Sequence, residues 1–285
     1  MGGNLTGGFW WRESINPNYG HAYRVELVFE EKKLQKVQIL KNPYWGYFLV
    51  LDGIVQFTEK DEFIYHETIT LLPASLLPFL PEEVLIIGGG DGGVLRELQK
   101  IPSIKKIIQF EIDLTVYELC QKYFSKISGD FSDPRLNFQI KDGLKGLQEV
   151  SSEVFDLIIV DCTDPIGPAK SLYTYEFYSL AYQALKAYGV FIQQASLPAY
   201  FPNILNTAYF LAKKVFPVVK VARTFVPSYG EEIAFLVATK EEKDWFHPKQ
   251  LFSGQYYYPA LNFYYFTLPK SWLSLMGEDK RLTCK

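Results

Sequence analysis

Residues 84–97 read VLIIGGGDGGVLRE, a short apolar run that drops directly into a glycine-rich turn and then into a helical stretch. An Ile/Val run without polar alternation is a strand buried on both faces, and such a strand feeding a helix through a tight turn opens a β-α unit. The pattern then repeats. KIIQFE, LNFQI, FDLIIVD and GVFIQQ follow as further strands, with helices over 94–100, 114–124, 144–150, 173–185 and 204–215. Short Ile/Val-rich runs separated by helical lengths fold into a parallel sheet covered on both faces. Near the end, VVKVARTFV and IAFLVATK are separated only by the connection Pro227 to Glu232. Strands so close in sequence pair as a hairpin, which puts one antiparallel strand on an otherwise parallel sheet.

The first sixty residues have a different rhythm. Alternating runs at 23–29 and 35–40, then FLVL, Asp52-Gly53 and IVQFT, read as β structure. Asp-Gly between two apolar runs is a two-residue hairpin signal, because both central positions of a type I′ turn need positive φ. A helix is expected to start at Thr58, whose hydroxyl can cap it, with Asp61 at the third helical position and Phe63, Ile64, Ile69 and Leu72 as its apolar stripe. The expected organisation is an N-terminal β-strand domain over 1–60 and a catalytic α/β domain over 61–285.

Composition narrows the function classes. Lys and Arg total 29 against 32 Asp and Glu, a formal charge of -3, so no global basic field exists to hold nucleic acid. A small cationic or neutral partner fits better. Cys120, Cys162 and Cys284, with His21, His66 and His247, show neither CxxC nor HxxxH spacing. That argues against a structural zinc or a disulfide framework and makes a reducing cytoplasm the expected location. The most apolar stretch, 68–87, is broken by Pro73, Pro78, Pro81, Glu82 and Glu83, so no membrane span is expected. MGGNLTGGFWWRE lacks the basic and apolar regions of a secretory signal, and none is expected. Aromatic residues make up 16%, which counting alone divides neither into core nor into pocket.

The glycine turn sits where doubly wound sheets place their ligands, at the carboxyl end of the first strand. The second strand ends in Glu111, twenty residues past Asp91, where an acid commonly accepts ribose hydroxyls. The third ends at Asp142-Gly143, which can take an adenine amino group or simply turn the chain. A dinucleotide would need its pyrophosphate at the helix N-terminus, and Asp91 repels phosphate there. A nucleoside with a cationic arm, such as a sulfonium bearing an amine, fits instead. The fourth strand runs into Asp161-Cys162-Thr163-Asp164-Pro165, two carboxylates at the same sheet edge as Asp91. The terminal antiparallel strand also suits the fold of S-adenosylmethionine-dependent methyltransferases, by fold-level analogy.

LVLDGIVQFTEKDEFIYHE (49–67), VLIIGGGDGGVLRE (84–97), EID (111–113), DG (142–143) and VDCTDPIGPAKSLY (160–173) together resemble the polyamine aminopropyltransferases, the spermidine synthase family. Order and spacing hold from about Trp10 to Thr239. The resemblance implies a small N-terminal β domain on a Rossmann-like, class I methyltransferase-type doubly wound sheet. It also implies transfer of an aminopropyl group from decarboxylated S-adenosylmethionine, a co-substrate, with no resident cofactor or metal, and a homodimer or homotetramer. Its donor-binding positions fall on Gln35, Asp91, Glu111, Asp142, Gly143 and Pro168. Its acceptor-binding positions fall on Glu13, Tyr65, His66, Asp91, Asp161, Asp164 and Tyr229, with Asp161 as proton acceptor. Without the resemblance, Gln35 reads as a solvent-facing strand residue, His66 as a hydrogen-bonded helix residue, and Tyr65 and Tyr229 as core or pocket lining. Trp10, Trp11 and Glu13 read equally well as a packing anchor.

Two segments depart from the family's habit. The stretch after the fifth strand of the α/β sheet is Gln194-Ala195-Ser196-Leu197-Pro198 in place of a Gly-Glu type, and 226–232 is one residue shorter. Both bear on the acceptor. Putrescine is the first choice, with cadaverine, agmatine or a longer polyamine as alternatives; Glu231 and Glu232 are either a solvated pair or the seat of an extra cationic group. The competing readings are an amine N-methyltransferase using intact S-adenosylmethionine and a non-catalytic polyamine-binding protein.

Overall fold

A computed structural model describes residues 8–278, so Cys284 lies outside the described residues. Five strands form an antiparallel meander in chain order: β1 (Phe9–Asn16), β2 (Tyr19–Lys32), β3 (Lys36–Asn42), β4 (Gly46–Leu51) and β5 (Ile54–Thr58). Asp52 and Gly53 carry φ of 48° and 82°, the conformation that the Asp-Gly pair predicts between β4 and β5. β1 is an addition to the sequence reading: of its aromatics, Trp11 is buried with Val25, Leu40 and Phe48, whereas Trp10 is 67% exposed. Gln35 stands in the turn before β3 and not on the strand itself.

The second sheet has seven strands in the order β11-β12-β10-β9-β6-β7-β8. These are β6 (Glu83–Gly88), β7 (Lys106–Glu111), β8 (Leu136–Ile140), β9 (Phe155–Asp161), β10 (Leu185–Gln194), β11 (Val218–Val226) and β12 (Glu231–Thr239). β12 alone runs against its neighbours, pairing antiparallel with β10 and β11. The chain is thus α/β, with a small all-β sheet followed by a Rossmann-like sheet.

Alternation along the strands sends side chains to two cores. Val84, Ile86, Leu157 and Ile159 meet α1 (Glu62–Ser75) and α2 (Gly93–Gln99) on one face. Leu85, Ile87, Ile158 and Val160 meet α4 (Gly143–Gln148), α5 (Tyr175–Ala184) and α6 (Pro202–Lys213) on the other. Between them in sequence, α3 (Leu114–Tyr123) turns Val116, Leu119 and Cys120 onto Val37, Ile39, Leu49 and Phe57, and this contact docks the first sheet on the second. The C-terminal segment, with α7 (Asn262–Phe266) and α8 (Lys270–Leu275), was not read from the sequence as structured. Glu67 anchors it by accepting the backbone N–H groups of Gln255, Tyr256 and Tyr257.

The expected cap of α1 is corrected. Thr58 is the last residue of β5 and Asp61, not Thr58, takes the N-cap position. The Thr58 hydroxyl donates to Asp61 Oδ1 at 2.7 Å, and Asp61 Oδ2 accepts the Ser228 N–H at 2.7 Å. Asp61 therefore ties the start of α1 to the loop between β11 and β12.

Candidate active site

The site lies at the carboxyl ends of β6, β7, β8 and β9. Gly88 ends β6 with φ 83°, and a Cβ there would sit 2.0 Å from the Asp161 carbonyl oxygen, so only glycine allows these two strand ends to come together. Gln109, buried on β7, donates to the Gly88 and Gly89 carbonyls and holds the loop in its turn. Asp91 Oδ1 accepts the Gly93 N–H at 2.6 Å. A protein carboxylate thus occupies the helix N-terminus where a pyrophosphate would bind, which is the physical form of the sequence argument against a dinucleotide.

Tyr65 and His66 come from α1, Asp91 from the loop, and Asp161 from β9. One polar atom from each of His66, Asp91 and Asp161 lies within 4.8 Å of the others. The Tyr65 hydroxyl donates to Asp161 Oδ1 at 2.6 Å, while buried Asp161 Oδ2 has no hydrogen-bond partner among the described residues. Burial, and then the Asp91 charge, push the Asp161 carboxyl up to about 6, with His66 and Tyr65 pulling the other way. Burial would raise Asp91 as well, but the neighbouring His66 outweighs it and holds that carboxyl below its usual range. Burial alone would lower His66; Asp91 and Glu62 overcome it and lift the imidazole to about 10.

On the donor side, Glu111 accepts the Gly90 N–H at 2.9 Å and the Asp113 N–H at 2.7 Å, and burial raises its carboxyl to about 7. A carboxylate has about four acceptor sites, so Glu111 keeps acceptor capacity for a hydroxyl beside its backbone donors. Gln35 Nε2 donates to Asp113 Oδ2 at 2.8 Å, so the turn before β3 is latched to the end of β7. Asp142 caps α4 by accepting the Lys145 N–H at 3.0 Å, Gly143 opens that helix, and Pro168 lies exposed in the short 3-10 helix Gly167–Leu172 that follows β9.

On the acceptor side the positions are more spread. Asp164 accepts from Gln194 Nε2 at 3.1 Å and from the Ser196 hydroxyl at 2.8 Å, and burial raises its carboxyl. The departing segment at the end of β10 therefore holds the Asp164 carboxylate directly. Glu13 is 5% exposed; it accepts the Val55 N–H at 2.8 Å and pairs with His21 Nδ1 at 3.1 Å, so the first sheet closes around it. Tyr229 spans the gap: its hydroxyl donates to the Gln56 carbonyl at 2.5 Å and is pushed up by burial and by Asp61, Asp161, Asp91 and Glu13. Glu232 is committed to Arg223 and to the Tyr264 hydroxyl, which answers the question of its being a spare carboxylate.

Comparison with known proteins follows the same division. The family model "Spermine/spermidine synthase domain" matches residues 62–248, and "Spermidine synthase tetramerisation domain" matches 9–59. The chain belongs to the spermine/spermidine synthase family. It is 36% identical over 271 residues to a polyamine aminopropyltransferase of Thermoanaerobacter sp. (strain X514), covering 92% of this chain and 96% of that one. A Bacillus mycoides polyamine aminopropyltransferase is 35% identical over 270 residues, with the same coverage. Among solved structures, a spermidine synthase in complex with the transition-state analogue AdoDATO superimposes with a TM-score of 0.88 at 35% identity, covering 94% of this chain and 95% of that one. The spermidine synthase of Thermotoga maritima gives 0.87 at 35%, covering 94% of each. The chain is accordingly an enzyme of the spermidine synthase type, a transferase of aminopropyl groups.

Sequence reasoning missed several side chains that shape this family's site here. Glu62 and Arg96 flank His66, Gln109 latches the glycine loop, and His21 pairs with Glu13. Only Glu62 carried a signal, its spacing of four from His66 on an expected helix.

Proposed function

We propose that the enzyme moves the aminopropyl group of decarboxylated S-adenosylmethionine to putrescine, giving spermidine and methylthioadenosine. The observation that carries this reading is the meeting of Tyr65, Asp91 and Asp161 beside a glycine loop whose helix N-terminus is filled by Asp91. Such a site repels phosphate and carboxylate and welcomes a cationic arm.

In this reading Gln35, Glu111, Asp142, Gly143 and Pro168 seat the nucleoside and Asp91 holds the aminopropyl ammonium. Glu13, Tyr65, His66, Asp164 and Tyr229 line the path of the acceptor. The neutral acceptor amine attacks the carbon beside the sulfonium in line. A C–N bond forms, the C–S bond breaks, and its electron pair returns to sulfur, which leaves as a neutral thioether. The proton of the new ammonium passes to Asp161. A free alkyl amine, like Lys, has a pKa of about 10.4, so about one molecule in a few thousand is neutral at pH 7. The neighbouring sulfonium and loss of solvent lower that value while burial raises Asp161, which narrows the mismatch between donor and acceptor of the proton. No leaving-group acid is needed, and the reading takes no metal or resident cofactor. The match of 9–59 to a tetramerisation domain supports a homodimer or homotetramer.

The test is an amine panel with decarboxylated and intact S-adenosylmethionine, following methylthioadenosine and methylated product. Methylthioadenosine release with putrescine ahead of cadaverine and agmatine is expected. Methyl transfer from the intact donor would install the methyltransferase reading in its place, and no turnover with any pair would favour a binding protein.

A further inference from the structure

The buried side of α1 carries an ion chain that the residues assigned above do not explain. Arg96 on α2 donates twice to Glu62, Nη1 to Oε1 at 2.8 Å and Nη2 to Oε2 at 3.0 Å. Glu62 Oε2 faces His66 Nδ1 at 2.5 Å, and His66 Nε2 faces Asp91 Oδ1 at 3.4 Å. An ionised carboxylate only accepts, so an imidazole with a carboxylate oxygen on each nitrogen satisfies both when both nitrogens carry protons. The ring is 1% exposed and cannot swing away. The Phe57 and Tyr65 rings stand 5.9 Å and 5.3 Å from it, and a Cβ on Gly93 would lie 2.4 Å from its edge.

We propose that Glu62, braced by Arg96, is a positioning residue of the transfer site: it holds His66 as a buried imidazolium fixed between Glu62 and Asp91 and close to Asp161. The proposal rests on the aminopropyl-transfer reading for its consequence and on the ion chain for its geometry. The titratable groups that face the imidazole are Glu62 from α1, Asp91 from the glycine loop and Asp161 from β9, with Arg96 behind Glu62. Two acids this close, without a cation, would take up a proton between them before any substrate arrived. The built-in cation keeps Asp91 ionised to receive the donor's ammonium. It also limits how far Asp161 is raised, so that Asp161 can still lose its proton and later accept one from the amine.

The experiment uses the full chain and Glu62→Gln. Two quantities are read: the pH dependence of kcat/KM from methylthioadenosine release, and the side-chain 15N shifts of His66. In the parent enzyme at about pH 8 both His66 nitrogens are expected to carry protons, since the flanking acids hold the ring charged. In Glu62→Gln the ring should be neutral at that pH, and the acid limb of kcat/KM should move up by about one pH unit, with the lost rate recovered at higher pH. A merely structural role lowers the rate by the same factor at every pH and leaves the limb in place; that result overturns the proposal. So does a neutral His66 in the parent enzyme at about pH 8, a measurement that needs no variant and stands even where Glu62→Gln does not fold. A parent enzyme that releases no methylthioadenosine while showing a charged His66 overturns the transfer reading and upholds the ion chain.

Discussion

At the residue scale the chemistry depends on two carboxylates in one pocket being made unlike. Asp91 spends an oxygen on a helix N-terminus and has His66 beside it, so it stays ionised; Asp161 has a phenol on one oxygen and nothing on the other, and is raised to about 6. Asp161→Asn should therefore lower kcat by ~10²–10⁴ while donor affinity changes little, because general-base contributions are of that size. Unchanged turnover would sink the assignment. The same substitution has a stability consequence of opposite sign. In the unfolded chain an Asp titrates near 3.9, so the folded protein binds the extra proton between about 4 and 6. The stability that this proton contributes is fully present below the unfolded value and is lost as pH rises through about 6. Glu111, raised to about 7, acts in the same direction over a higher window. Asp161→Asn stays neutral throughout, so its ligand-free Tm should exceed the parent's near pH 8 by on the order of a few °C, with the gap closing near pH 4. Thermal melts at the two pH values decide it, and a gap independent of pH would overturn the linkage. The acids themselves were legible in the sequence because they end strands at known offsets from the glycine turn. Glu62 and Arg96 were not, because a Glu four residues from a His and an Arg on the next helix are ordinary surface residues until tertiary packing buries them together.

At the element scale, legibility followed periodicity. The inner strands β6, β9, β10 and β12 were readable because a strand buried on both faces needs an apolar run, whereas the edge strands β8 and β11 were read from shorter mixed runs, and β11 matches its predicted bounds at both ends. β1 was missed because FWWRESIN pairs only with β2 along its length and leaves alternate residues exposed, so it carries no such run. The cap of α1 was misplaced because Thr58 and Asp61 both suit an N-terminus, and the choice is made by Ser228, 167 residues from Asp61. The C-terminal segment had even less local signal: its helices have five and six residues, and the stretch before them is held by one buried acid. Glu67 receives three backbone N–H groups at 2.7–2.8 Å, and a Cβ on Gly254 would lie 2.2 Å from its carboxylate. Glu67→Gln keeps one acceptor oxygen and turns an NH₂ toward donors. The expected cost is ~2–3 kcal/mol, as for charge-assisted hydrogen bonds lost in a buried place. Amide exchange at 255–257 should quicken by ~30–100-fold if the segment opens locally. Unaltered protection there would show that the apolar contacts of Trp245, Tyr257 and Tyr265 hold the segment without the acid.

At the scale of the whole molecule, the proposed chemistry and the self-association suggested by the tetramerisation-domain match draw on different residues. The positions proposed for donor and acceptor, from Glu13 on β1 to Tyr229 before β12, are all read from a single chain, and two of them, Glu13 and Gln35, lie in the segment that matches a tetramerisation domain. Large apolar side chains are exposed at the start of that sheet: Phe9, Trp10, Leu27 and Val28 lie near one end of the β1–β2 ladder, Phe9 and Trp10 on opposite faces of β1, with Trp10 the most open at 67%. Large apolar side chains grouped on a surface mark a place of contact between molecules. A total charge of -3 also sets up little repulsion between copies. The sequence announced the acids at the strand ends but not these exposed residues, since an exposed Trp and a buried Trp one residue apart have the same composition. Changing Trp10 and Val28 together to Glu places like charges at that exposed end of the ladder and should weaken self-association by ~10²-fold or more, the size of a lost aromatic anchor. Sedimentation should then show single chains where the parent sediments at two or four times that mass. Because the site's residues come from one chain, kcat of the dissociated variant should stay within ~3-fold of the parent, a difference of about 0.7 kcal/mol in barrier. Loss of turnover on dissociation, with the fold intact by circular dichroism, would mean that a neighbouring copy completes the site and that it is not built from one chain alone.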